Sequence, residues 1–377
     1  MEDVKRRKKK KKKSVGRKIG LISAILAGVL LISVLVLVLT VIYFYKKVDY
    51  KPRQEDYTIL AETNTFIEDV TNEEETTLED SDEKVVNEYQ SAVEEALENL
   101  DLELPELNDV YNILLIGTDE RSPNSGARSD TMLLVSINRK TKQIVGTSFL
   151  RDTYVKIPEK GFNKLNASYA YGGVELLFDT LEYNFSIVPD RYITVNFESF
   201  IEVVDILGGI EICVEDNELY WVNQYIHASN LIVGDDEHSD YLEFANGSPQ
   251  LLNGKQALAY ARVRYVGNAD FTRTERQRLV VTTIFDKMKN SDPATLMELL
   301  DKILPEVTTD ITLEEFFELI SLIPELSEYE IVSHSIPNTE FGEFQYITID
   351  GQSHLGLNFE AYIKYLYDSI YPPSELE

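Results

Sequence analysis

The chain has 377 residues and a formal net charge of −29, from 65 acidic and 36 basic side chains. Its one cysteine, Cys213, excludes an intrachain disulfide, and the four histidines, at 227, 238, 334 and 354, lack the close spacing of a zinc site. The length suits one domain of about 250 residues plus a sizeable non-globular part.

Residues 1–18 hold eleven Lys or Arg against Glu2 and Asp3, and residues 19–45 then carry no charge. An apolar run of that length exceeds the roughly 20 residues needed to cross a bilayer, and no small-residue cleavage site follows it. It predicts a transmembrane helix at 19–45. The positive-inside rule places the basic tail 1–18 in the cytoplasm and the rest outside, a single-pass cell-membrane protein. The run Lys5–Lys13 reads as topogenic charge touching anionic lipid head groups. Nucleic-acid binding is the other reading, and the nearby span disfavours it. Setting that +9 tail aside from the overall −29 leaves −38 outside. Such a surface repels polyanions except where positive charge is concentrated.

Residues 46–109 form an acidic linker in which, from Gln54 to Asp109, Lys84 is the only basic residue. Through Glu83 the composition is that of a disordered segment. Val85, Val86, Tyr89, Val93, Ala96, Leu97 and Leu100 then recur at helical spacing, predicting an amphipathic helix over 85–100 that docks or self-associates. The globular part follows, with a core at 110–290 and an extension of the same domain at 291–377. YNILLIG reads as a strand, and TMLLVSIN and QIVGTSFL as a hairpin turned by RKTK. Helices are predicted at Val174–Tyr183, Phe197–Leu207 and Gly254–Ala261, and strands at Arg191–Val195, Gly209–Val214 and Tyr329–Ile336. The stretch Trp221–Gly247 reads as an irregular excursion at a cleft rim. Strands interleaved with helices predict a layered α/β domain with a mixed sheet.

Five charged clusters sit where elements end: GTDER at Gly117–Arg121, ARSD at Ala127–Asp130, LRDTY at Leu150–Tyr154, ARVR at Ala261–Arg264 and FTRTERQR at Phe271–Arg278. In an acidic ectodomain they are rich in Arg, whose planar fork suits bidentate phosphate or carboxylate recognition. Thr272 and Glu275 form a capping-box pattern that predicts a helix starting at Arg273. Arg273 and Gln277 would then overhang the cleft at the positive end of the helix dipole, where an anion is expected. The competing reading pairs Arg273 with Asp119 or Asp152. Arg262 and Arg264, two apart in an extended segment, would share a face, for phosphate or for a strand-edge salt bridge. Asp119 and Asp130, in loops flanking one polar excursion, would together offer a magnesium-type oxygen site, although either alone is ordinarily a turn or cap residue. Asp152 is either a general base for a hydroxyl or the counter-ion of Arg151.

The order GTDER, RSDTMLLVSIN, RDTYVKIP, KLNASYAYGG, VNFESF, VDILGGIEI, LNGKQALAYARVR and DFTRTERQR closely resembles the LytR-CpsA-Psr family, over about Asn112 to Val280. The resemblance implies a membrane-anchored enzyme of Gram-positive-type bacteria. Such an enzyme moves a glycopolymer, teichoic acid or capsular polysaccharide, from a polyprenyl-pyrophosphate carrier to peptidoglycan, as a Mg-dependent, phosphotransferase-type transferase. It implies a three-layer α/β/α domain with a lipid tunnel. It also implies a magnesium ion (or manganese) on Asp119 and Asp130, and pyrophosphate contacts from Arg151, Arg262, Arg264, Arg273 and Gln277, joined by Arg128, Lys164 and Asn166. Arg151, Asp152, Arg262 and Arg264 are the catalytic candidates, with a peptidoglycan sugar hydroxyl attacking the anomeric carbon. Phe149-Leu150 replaces the more usual Ile-Pro before the Arg-Asp pair. A polyprenyl-pyrophosphate hydrolase or phosphotransferase using the same pocket, and a non-enzymatic envelope regulator, are the alternatives.

Overall fold

In the computed structural model, residues 38–54, 57, 80–102, 104, 109–118, 129–267, 269–326, 328–349 and 351–371 are described. The strands are β1 (Asp49–Tyr50), β2 (Val110–Thr118), β3 (Ser129–Asn138), β4 (Gln143–Phe149), β5 (Tyr154–Ile157), β6 (Gly161–Lys164), β7 (Arg191–Asn196), β8 (Ile210–Cys213), β9 (Pro249–Leu252), β10 (Thr308–Thr309), β11 (Glu330–Ile336), β12 (Phe344–Ile349) and β13 (Gln352–Leu357). The helices are α1 (Asp80–Glu98), α2 (Leu165–Phe185), α3 (Phe197–Ile206), α4 (Leu219–Val233), α5 (Gly254–Arg262), α6 (Ala269–Lys289), α7 (Pro293–Ile303), α8 (Leu313–Leu326) and α9 (Phe359–Ile370). A further helical stretch at 38–45 precedes β1.

Seven strands form a mixed sheet in the order β1-β10-β7-β2-β3-β4-β11. β2 is parallel to β7 and β4 to β11, while β3 runs antiparallel to both β2 and β4. The β3–β4 hairpin turns at the polar tetrapeptide read from the sequence. Its hinge is Asn138, whose Oδ1 accepts from the backbone N–H of Lys140 and Thr141 while its amide donates to the Ile370 carbonyl. The carboxyl ends of β2, β4, β7 and β11 and the start of β3 therefore lie at one end of the sheet, where α/β ligand sites form.

On one face, Leu114, Ile116, Met132, Leu134, Phe149 and Ile336 pack with α2, α9 and Val93 of α1. The acidic helix thus docks on the domain. α2 is two helical segments joined across Gly172 and Gly173, whose backbones are non-helical, so the predicted start at Val174 is the start of its second segment and Leu165–Tyr171 is an added first one. A second core, built from α3–α7 and β8, holds Val204, Ile210, Val222, Ile226, Ala257 and Ile284. β8 pairs with β9 in a separate ribbon, outside the main sheet.

The Trp221–Gly247 reading is corrected in its first half: Leu219–Val233 is helix α4. Val222, Ile226 and Asn230, four apart, form its buried stripe. The predicted start of α6 is also corrected. The helix begins at Ala269, so Thr272 is interior and not at the N-cap position. Phe271 holds that extra turn in place, buried against Leu150 and Leu355. No helix among the described residues is long and apolar enough to cross a membrane, and most of the predicted span at 19–45 lies outside them.

Candidate functional site

The turn after β4 is tied from three sides. Leu150 N–H donates to the Ile336 carbonyl, the Asp152 carbonyl accepts from Leu355 N–H, and the Arg151 carbonyl accepts from Asn166 N–H. A proline at position 150 would lack the first of these bonds, so the Phe149-Leu150 departure fits the geometry here. Held in this way, Arg151 lines a cleft between β3–β4 and α6, with the buried Asp152 paired to it. Asp130, Leu133, Ser148, Arg151, Arg273, Gln277 and Arg278 are among its lining residues, and its volume is about 360 Å³ including the open mouth.

Asp152, 4% exposed, organises the cations. Its Oδ1 takes Lys164 Nζ at 2.6 Å and its Oδ2 takes Arg151 Nε at 3.3 Å, with Arg273 Nη2 at 4.0 Å. Asp130 takes Arg151 Nη1 at 2.5 Å. Burial works to raise the Asp130 pKa, but Arg151, Arg273 and Arg262 together outweigh it and hold the carboxyl below its ordinary value. Two carboxylates and at least three cations thus interlock at the strand ends, which favours a further anion shared among the cations.

Of the sequence-derived candidates, Arg151, Asp152, Lys164, Arg273 and Asp130 come together directly. Gln277 lines the same cleft, and Asn166 is buried with an Oδ1 that has no hydrogen-bond partner among the described residues. Asp119 and Arg128 lie outside the described residues. Arg262 is the last residue of α5 and not part of an extended pair. Its guanidinium rests over the rings of Tyr225 at 5.1 Å and Phe197 at 5.2 Å. Arg264 follows, half-buried, past the buried Val263. Arg273 sits in the second turn of α6, so the dipole argument for an anion falls away: that field fades within the first turn. The ion-pair alternative with Asp152 is the arrangement found.

Two residues of the FTRTERQR cluster were not singled out from sequence. Arg276, 4% exposed, forms a buried pair with Glu218 and donates to the Val263 and Val266 carbonyls. It braces the segment that carries Arg264. Arg278 lines the cleft with a buried Nη1 that has no hydrogen-bond partner among the described residues, and burial pushes its pKa down. Two apart on one helix, they lie about 200° from each other and so face opposite sides. Among the described residues no three His, Cys, Asp or Glu side chains gather as a metal cage. Asp130 alone, beside guanidinium groups, suits a divalent cation only when phosphate oxygens supply the remaining ligands.

Fold and site together define an α/β protein with an arginine-lined cleft at the strand ends of a mixed sheet. The chain belongs to the LytR_cpsA_psr family, whose profile matches residues 65–363. It is 36% identical over 233 residues to the polyisoprenyl-teichoic acid–peptidoglycan teichoic acid transferase TagU of Bacillus licheniformis, covering 61% of this chain and 69% of that one. The B. subtilis TagU match covers 64% of that relative, so the chain spans about two thirds of these relatives' length. Among solved structures, TagT bound to LI-WTA superposes with a TM-score of 0.54 at 27% identity, over 72% of this chain and 93% of that one. The YwtF (TagT) structure of B. subtilis with bound octaprenyl pyrophosphate lipid gives 0.50 at 26% identity, over 72% and 94%.

Proposed function

We propose that this chain transfers an anionic glycopolymer, of teichoic acid or capsular polysaccharide type, from a polyprenyl-pyrophosphate carrier to peptidoglycan. It would act outside the cell membrane, anchored by residues 19–45 with its N-terminus in the cytoplasm. The observation that carries the reading is the interlocked Asp130–Arg151–Asp152–Lys164–Arg273 cluster at the mouth of a cleft whose far wall is apolar. The names of the TagU and TagT relatives, and the octaprenyl pyrophosphate bound by one of them, supply the substrate class.

The apolar wall is the second face of the sheet. Register places Ile113, Leu115, Leu133, Val135, Ile137, Ile193 and Val195 on it. Ile113 and Ile137 are buried and the other five only half-buried. None of the seven belongs to either large core. Helix α8, tied to β7 by the Arg191–Glu315 pair, carries half-buried Phe316, Phe317 and Ile320. Apolar surfaces of this kind, outside the close-packed cores, suit an isoprenoid chain.

For the chemistry, the guanidinium groups of Arg151 and Arg273 and the ammonium of Lys164 would bind the phosphate oxygens and neutralise charge as it develops. Attack at the anomeric carbon, with its oxocarbenium character, calls for a pair of working carboxylates. Here Asp130 and Asp152 are both engaged by cations, which favours phosphorus as the centre attacked. A sugar hydroxyl of peptidoglycan forms a new P–O bond at the glycan-side phosphorus, the P–O bond to the bridging oxygen breaks, and polyprenyl phosphate leaves. The hydroxyl proton passes to solvent or to a displaced carboxylate such as Asp152. Asp130, with Asp119, would hold a magnesium or manganese ion, whose charge would add to that of the arginines. With purified carrier-linked polymer and peptidoglycan, Arg151→Ala should abolish attachment while the protein stays folded. Unchanged attachment would refute the reading, and free polymer released by the native chain would favour a hydrolase.

A further inference from the structure

Beside the cation cluster lies an aromatic surface that neither the pyrophosphate nor the isoprenoid wall uses. Tyr265 directly follows Arg264, and its ring lies flat on the Trp221 indole, centroids 4.2 Å apart at 27°. Tyr220 meets the same indole edge-on at 5.1 Å. Tyr225, which supports the Arg262 guanidinium, is four residues along α4 from Trp221 and shares its helix face. The aromatic strip therefore starts at Arg262 and runs outward.

Its inner members, Trp221 and Tyr225, pack against the second core. Its outer members do not: Tyr220 is 62% and Tyr265 47% exposed. Trp221 covers one face of Tyr265, so the exposed surface is the other face. A cluster of exposed rings held rigid from behind marks a recognition surface. Flat rings with polar rims match the C–H faces of pyranoses, which stack on them while their hydroxyls stay wet. Charge narrows the occupant further. Glu215 and Asp216, just ahead of α4, are exposed, and acids there repel a polyanionic chain.

We propose that Tyr265 and Tyr220, backed by Trp221, form a stacking subsite for the acceptor glycan, a β-1,4-linked N-acetylhexosamine strand. The strand approaches along α4 and delivers its hydroxyl at the Arg262 end. This rests on the transfer reading above, but its test does not require turnover.

Trp221 is the only tryptophan in the chain, so its emission reports on this surface alone. Titrating the full chain with a β-1,4-linked N-acetylglucosamine hexamer should shift that emission. In calorimetry, Tyr265→Ala should weaken hexamer binding about tenfold, and Tyr265→Phe, which keeps the stack, should retain it. The proposal is overturned if millimolar hexamer leaves the emission unchanged or if Tyr265→Ala binds like the native chain. It is also overturned if that variant loses polyprenyl pyrophosphate to the same degree, or if a glycerol-phosphate polymer binds in the hexamer's place. Hexamer binding without any polymer transfer would support the subsite and count against the transferase reading instead.

Discussion

Asp152 shows how far a residue's role depends on what surrounds it. Adjacent to Arg151 in sequence, it reads equally as a base or as a counter-ion. In the fold it carries Lys164 on one oxygen and Arg151 on the other, with Arg273 nearby. Removing its charge leaves buried cations without a counter-ion, which costs about 3 kcal/mol or more. Asp152→Asn should therefore lower the thermal midpoint and also reduce transfer about a hundredfold, measured by calorimetry and by attachment assay. A variant of native stability would show that the carboxylate is not the organiser described here. The arginines were legible because Arg-rich clusters in an acidic chain stand out. Arg276 and Arg278 were not told apart, since one braces a loop and the other lines the cleft, a distinction that only helix phase and packing make.

At the level of elements, β11 and the second sheet face each make a prediction. His334, on β11, contacts Thr147 Oγ1 at 3.0 Å, and burial, with some help from Arg278, holds its pKa down to about 4. An unfolded imidazole titrates near pH 6.5, so the unfolded chain binds the proton more readily. The stabilisation is complete above about pH 6.5, falls as pH drops toward 4, and amounts to about 3 kcal/mol. His334→Gln should flatten that part of the stability–pH profile, measured by denaturant unfolding between pH 7.5 and 4. An unaltered slope would contradict the assignment. On the second sheet face, Leu133→Trp should fill the apolar gap. It should weaken octaprenyl pyrophosphate binding about tenfold or more while inorganic pyrophosphate binds as before, both measured by calorimetry. Equal loss of both ligands would place the lipid elsewhere. The long, strongly alternating strands and the apolar stripe of α1 were readable from periodicity. The short hairpins β5–β6 and β12–β13 and helix α4 were not. Strands of four to six residues carry little pattern, and the aromatic, polar surface of α4 masked its i, i+4 stripe.

For the whole molecule, the C-terminal extension is part of the structural core. β11 extends the sheet beside β4, and α9 contributes Tyr362, Ile363, Leu366 and Ile370, all with no exposure. A chain ending at residue 329 should lose cooperative unfolding, read by circular dichroism, whereas a sharp transition would show that the extension is dispensable. The N-terminal approach is equally integrated. Within the last turns of the predicted span Val41 and Phe44 are buried, and after it Lys47 pairs with Asp301 of α7 and β1 joins the sheet edge beside β10. The apolar run of 19–45 is longer than a bilayer requires, and its last residues rest on the domain, with Tyr45 against Phe316 of α8 and its hydroxyl donating to the Ile311 carbonyl.

The central claim is that this cleft attaches a carrier-linked glycopolymer to peptidoglycan, and reconstitution tests it most directly. The full chain, in vesicles with a radiolabelled polyprenyl-pyrophosphate-linked polymer and added peptidoglycan, should render the label insoluble with the wall and release polyprenyl phosphate. Arg262→Ala should do neither. Label that stays soluble as free polymer, or an Arg262→Ala chain as active as the native one, would contradict the account.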